Sequence, residues 1–201
     1  MKGKEFERLC LQRMAWEERQ GQAAMWRNGV MTRWDAETKS SIAIASLPDF
    51  SGLLESLYFT CDAKVCQQAS VNLQPDHFGE HQFKFLCRAH KFGATTFLLI
   101  HFPRRELKTK TDEERTVAFP VFAEHPFWNG FGVGEGNRTI NREACDAFAV
   151  DVQWNKAGQM RTVTPDIRKA IFDLWGDEHS QPETKPLPIV ESNPWGEVAP
   201  F

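Results

Sequence analysis

The spacing of apolar residues changes period several times along this chain, and each change marks an expected element. Over residues 3–26, Phe6, Leu9, Cys10, Met14 and Ala15 recur at helical spacing. Glu5, Arg8, Arg13 and Glu17 fall mostly off that stripe, so the pattern predicts an amphipathic helix. Gly21 and Asn28-Gly29 weaken or end it. Ile42 and Ile44 then alternate with small residues, which predicts a short strand, and Pro48 suits a turn or strand edge. Phe50, Leu53, Leu54 and the run from Leu57 to Val65 favour a β-hairpin. Side chains alternate along a strand, so Phe59, Cys61, Ala63 and Val65 share one face and Thr60, Asp62 and Lys64 the other.

Farther on, a polar stretch over 66–75 leads to an expected helix at 77–92, closed by Gly93. Residues 94–102 form a near-continuous apolar run, the signature of a central buried strand. A charged loop is expected at 109–115, strand and aromatic-rich connection at 117–131, and another strand where Phe148, Val150 and Val152 alternate. Thr164-Pro165-Asp166 opens a last helix through Trp175. No internal repeat is present. The order predicts an α/β domain over residues 1–175, followed by a flexible, acidic, proline-containing tail over 176–201.

Composition narrows the partners. At 41% hydrophobic and 25% charged residues in 201, with no apolar run near the roughly 20 residues that cross a bilayer, no membrane role is expected. The start, Met1-Lys2-Gly3-Lys4-Glu5, lacks the apolar core of a signal peptide, so a cytoplasmic protein is expected. Cysteines 10, 61, 66, 87 and 145 form no CxxC pair and read as reduced thiols, several of them core filler. Residues 173–201 hold six acids and one base, net −5, which leaves the rest at +2 within a formal charge of −3. Arg88, Lys91, Arg104, Arg105 and Lys108 concentrate positive charge locally, so nucleic acid is permitted as a partner and not demanded.

The hairpin carries the chemistry. Two acids, Asp49 and Asp62, approach one point, and carboxylates that converge are costly unless a cation binds between them or one takes a proton. Magnesium prefers oxygen ligands and needs only one or two carboxylates. Lys64, facing the same way as Asp62, would position or deprotonate a water, or offset charge on a phosphorane-like transition state.

Pro48-Asp49, followed thirteen positions later by Asp62-Ala63-Lys64, resembles the PD-(D/E)xK nuclease signature. Within that superfamily the sequence looks most like the RecU-type Holliday junction resolvases: Asp-Phe-Ser-Gly at 49–52, Ser70, His81-Gln82 and the apolar strand all follow at similar distances. Gly3-Lys4-Glu5-Phe6-Glu7 is more loosely similar to the first helix of archaeal resolvases. The resemblance implies a restriction-endonuclease-like core with a mixed central sheet flanked by helices. It further implies Mg²⁺ (or Mn²⁺) held by Asp49, Asp62, the carbonyl of Ala63 and Gln82. Lys64 would stand near the attacking water and Glu7 would reach the site, with Ser70 and the basic residues above facing DNA. The implied activity is endonucleolytic, giving 5′-phosphates, by a homodimer acting on branched DNA in recombination, repair or phage DNA processing, in a bacterial or phage setting. Two departures stand out: Asp62 replaces the family's Glu, and residues 28–47 are short for the projecting stalk.

Two other classes compete. His77-Phe78-Gly79-Glu80-His81 fits HxxEH, which on one helix would make a zinc-peptidase pair with Glu80 as base. A nuclease-fold module that binds DNA without cutting it is the second. Finally, the ending Asn193-Pro-Trp-Gly-Glu-Val-Ala-Pro-Phe201 is similar to the acidic hook by which single-stranded DNA-binding proteins recruit replication or repair proteins.

Overall fold

A strand enclosed on both faces and both edges by protein is buried along its whole length and mostly apolar, and residues 95–102 meet that description: all eight are buried and five are apolar. The computed structural model describes residues 1–35, 39–73, 78–106, 111–131 and 139–179. Its first half runs α1 (Gly3–Arg19), β1 (Ala23–Arg27), β2 (Val30–Asp35), β3 (Ser40–Ser46), β4 (Phe50–Leu54), β5 (Leu57–Val65), β6 (Ser70–Asn72) and α2 (Glu80–Lys91). The second half runs β7 (Thr95–Phe102), β8 (Arg105–Glu106), β9 (Thr111–Asp112), β10 (Arg115–Pro120), β11 (Thr139–Asn141), α3 (Arg142–Phe148), β12 (Val150–Asp151), β13 (Trp154–Asn155), β14 (Thr164–Pro165) and α4 (Ile167–His179).

Six strands form one sheet in the order β1-β4-β5-β7-β10-β12. β5 and β7 are parallel, joined by the crossover through α2, and every other pair in this sheet is antiparallel. The sheet is therefore mixed, as expected. Alternation along β7 divides the core: Phe97 and Leu99 pack with Phe6, Cys10 and Met14 of α1 and Ile167, Ile171 and Leu174 of α4. Leu98, Ile100 and Phe102 pack instead with Phe83 and Leu86 of α2 and Cys145 of α3. The result is an α/β fold with helices on both faces of the sheet.

Several boundaries differ from the sequence reading. α1 ends at Arg19, seven residues short of the expected end, because Gly21 turns the chain at φ +70° and residues 23–27 pair with β4 instead. Arg13 and Glu17, read as off the buried stripe, are only 5% and 1% exposed. Arg13 Nε donates to Glu17 at 2.7 Å, and its other nitrogens donate to Asn155 at 2.6 Å and to Asp166 at 2.8 Å. A charge sinks into the helix interface only when it is paired and bonded like this. α2 begins at Glu80 rather than 77 because Gly79 is extended (φ −75°, ψ 156°). Residues 142–148, expected near a strand, form α3, started by the Asn141 side chain accepting from Ala144 N at 2.8 Å. α4 continues to His179, past Trp175.

Segment 28–47 folds largely as a separate two-stranded hairpin, β2 with β3. All five cysteines are free and buried. Among the described residues no helix is long and apolar enough to cross a membrane. Lys108, His77, the glycine-rich stretch 132–136 and the ending from Asn193 to Phe201 lie outside the described residues.

Candidate active site

β4 and β5 form a tight hairpin in which Phe50 stands opposite Cys61. That register puts Asp49, the residue just before β4, at the level of Asp62. The Asp49 carboxylate completes the ladder that Pro48 would otherwise end, accepting from Ala63 N at 2.9 Å. Asp62 follows from strand alternation: with Thr60 it points to the α2 face, and both are 0% exposed. Lys64, two residues on, brings its ammonium to 2.5 Å from Asp62 Oδ2 while its own side chain stays 22% exposed.

The helix on that face supplies a fourth group. Gln82 sits in the first turn of α2, where Oε1 accepts from Gly79 N at 3.1 Å and Nε2 donates to Asp62 Oδ1 at 3.2 Å. One carboxamide thus caps the helix and holds a carboxylate. Its oxygen is committed to the cap and its nitrogen faces Asp62, so in this arrangement Gln82 orients an acid and does not present an oxygen to a cation.

The electrostatics of Asp62 are unusual for an acid in water. Burial disfavours its charge most, Lys64 partly compensates, and Asp49 adds repulsion, so the carboxyl is pushed up to about 6. A buried carboxylate that Lys64 only partly compensates, beside a second carboxylate and strand carbonyls, is a donor set for a hard divalent cation. Oxygen donors without thiolate or imidazole favour magnesium or manganese over zinc. Among the described residues no group of three or more His, Cys, Asp or Glu side chains gathers, so a cation here would rely on the two acids, backbone and water.

Asp49, Asp62, Ala63, Lys64 and Gln82 are therefore brought together. Glu7 is not bonded to them: its carboxylate accepts from Arg27 Nη2 at 2.6 Å on the α1 face. It still acts in the same neighbourhood, because burial, then Glu7 and Asp49, push the Cys10 thiol up. Ser70 lies in β6, where its carbonyl accepts a hydrogen bond from the Cys66 thiol at 2.8 Å. Arg88 and Lys91 are exposed in the last turn of α2, about 10–14 Å along the axis from Gln82 at 1.5 Å per residue. Arg104 lies 3.8 Å from Glu106, and Arg105 is half-buried beyond β7. For the HxxEH reading, α2 begins only at Glu80, which pairs with Lys84 at 2.7 Å, and His77 lies outside the described residues.

Three side chains, Asn28, Ser51 and Thr60, hold the turn in a way the sequence reading did not assign them. Asn28 Nδ2 donates to Pro48 O at 2.7 Å and to Ser51 Oγ at 2.8 Å. Ser51 Oγ donates to Thr60 Oγ1 at 3.0 Å, and Thr60 Oγ1 donates to Phe50 O at 3.1 Å. The only local signal was Asn28-Gly29, which reads equally well as a helix stop.

No curated protein sequence matches. Among solved structures, the chain is similar to Hjc of Archaeoglobus fulgidus, a Holliday junction resolvase from an archaeal hyperthermophile. That match has 18% identity and a TM-score of 0.44, and covers 74% of this chain and 95% of that one. Residues 28–109, which hold Asp49, Asp62, Lys64 and Gln82, match the family described as RecU, recombination protein U.

Proposed function

We propose that this protein is a divalent-metal-dependent DNA endonuclease of the Holliday junction resolvase type. The observation that carries the reading is that Asp49 accepts from Ala63 N while Lys64 pairs with Asp62, which gathers two carboxylates and an ammonium at one end of the hairpin within the segment that matches RecU. Asp49, Asp62 and the carbonyl of Ala63 would hold Mg²⁺ or Mn²⁺, which when bound polarises the phosphodiester and offsets charge on it. Lys64 would turn its ammonium from Asp62 toward the scissile phosphate, orienting the attacking water by donation and offsetting the charge that develops there. Gln82 would keep Asp62 in place through the reaction. Water would add opposite the 3′ oxygen, leaving a 3′-hydroxyl and a 5′-phosphate.

Branched DNA as substrate is supported by the match of residues 28–109 to the RecU family. A homodimer would put one site on each of two strands. The test is magnesium-dependent cleavage of plasmid, flap and four-way-junction DNA by the wild type, Asp62→Ala and Lys64→Ala. Cutting of the junction in preference to linear duplex, lost in both variants, is expected. A wild type that binds junctions yet cuts nothing with Mg²⁺ or Mn²⁺ would instead make this a binding module.

A further inference from the structure

We infer that Asn28 is a positioning residue that sets how tightly the site takes its divalent cation, by fixing the turn that carries Asp49. The inference rests on the nuclease reading above. Asp49 stands outside β4, directly after a proline that has no N–H to give. Asn28 grips that turn with backbone and side chain together: its N–H donates to Asp49 O at 2.8 Å, and its carboxamide nitrogen donates to Pro48 O at 2.7 Å and to Ser51 Oγ at 2.8 Å. The side chain therefore ties the residue before Asp49 to Ser51, two residues after it, from a position just past the end of β1.

The residue type is demanded by the chemistry. One nitrogen must give two protons to two acceptors at 2.7 and 2.8 Å, which a carboxamide does and a carboxylate or single hydroxyl does not. The tie continues inward through Ser51 and Thr60, both buried, and Thr60 lies two residues before Asp62 on the same strand face. Asn28 thus links the strand ends that carry both acids without touching either carboxylate. Groups in that position govern ligand orientation, and their loss typically costs about 10–100-fold in metal affinity or activity.

The experiment titrates Mn²⁺ into the full-length wild type and Asn28→Ala by calorimetry without DNA. It is paired with the Mg²⁺ and Mn²⁺ dependence of four-way-junction cleavage, and with junction binding in chelator. For Asn28→Ala the Mn²⁺ dissociation constant should rise about 10–100-fold, cleavage should recover toward the wild-type rate at saturating Mn²⁺, and junction binding in chelator should not change. A variant that takes up Mn²⁺ as the wild type does overturns the inference while leaving the nuclease reading in place. A wild type that neither takes up Mn²⁺ nor cuts DNA overturns both. If Asn28→Ala does not fold, Ser51→Ala, which removes one of the two carboxamide acceptors and the bond onward to Thr60 while keeping Asn28 on Pro48 O, should show a smaller shift in the same direction. An unchanged Ser51→Ala titration then overturns the inference.

Discussion

Replacing Asp62 with Asn should make the metal-free protein more stable while destroying its response to divalent cations. The side chain keeps its size, and its Oδ1 can still accept from Gln82 Nε2. What disappears is a buried charge. The carboxyl is raised from 3.8 to about 6, with Lys64 already acting in its favour. Each tenfold in proton affinity is about 1.4 kcal/mol, so ionised Asp62 costs the folded chain about 3 kcal/mol at pH 8. The Lys64 pairing is already contained in that value, so the gain is about 3 kcal/mol, or roughly 6–12 °C in melting temperature for a domain of this size.

The sign with pH follows from the same numbers. A carboxyl whose folded value is raised destabilises the fold when ionised, so the penalty is full well above pH 6 and fades as the wild type takes up its proton between about 6 and 3.8. The gap between variant and wild type should therefore close on acidification. Adding Mg²⁺ should stabilise the wild type by mass action, about 2.7 kcal/mol at a hundred times the dissociation constant, and leave the variant unmoved. Urea unfolding at pH 8 and pH 5, with chelator and with Mg²⁺, measures all four corners. If Asp62→Asn is the less stable protein in chelator, or gains from Mg²⁺ as the wild type does, then Asp62 is an ordinary structural acid and the reasoning fails.

Lys64→Ala removes the cation that eases Asp62, so its carboxyl should rise further, and the acid limb of metal binding, read by Mn²⁺ titration against pH, should move to higher pH. Gly52→Ala should destabilise by about 1–3 kcal/mol, because a Cβ there would meet the Phe59 ring at 2.7 Å and Ala24 O at 2.8 Å; thermal unfolding checks this. His101 is wholly buried, and burial lowers it from 6.5 to about 4, so it stays neutral in the fold while the unfolded chain gains a proton. Stability should fall as pH drops from 6.5 toward 4, by up to about 3 kcal/mol, and His101→Gln should lack this contribution in matched urea titrations. Arg13→Ala should cost about 3–5 kcal/mol by leaving Glu17 buried without its partner, and adding Glu17→Leu should recover much of it; a single variant with wild-type stability would show that the network is dispensable.

What this sequence determines alone is whatever depends on near neighbours. Strand β7 is legible because Phe97-Leu98-Leu99-Ile100 and Phe102 make a near-continuous apolar run, and the shared direction of Thr60, Asp62 and Lys64 because strand alternation needs nothing beyond the strand. The starts of α1 and α4 and the Gly93 turn follow from spacing, a proline and a glycine at φ +86°. Asp49 was singled out by its spacing from Asp62, but its contact with Ala63 needed the register between β4 and β5.

Tertiary structure decided the rest. Arg13 and Glu17 lie under α1 because Asn155 and Asp166, over a hundred positions away, come to meet them. Gln82 reaches Asp62 only because the parallel pairing of β5 and β7 lays α2 across that face, and Asn28 reaches Pro48 only because β1 pairs with β4. The seven-residue α3 depends on packing more than on propensity, so its pattern was too short to announce it. Periodicity reports which way a side chain points from its own element. Which partner waits there is settled when distant segments bury their apolar faces together, and in this protein that step assembles the site.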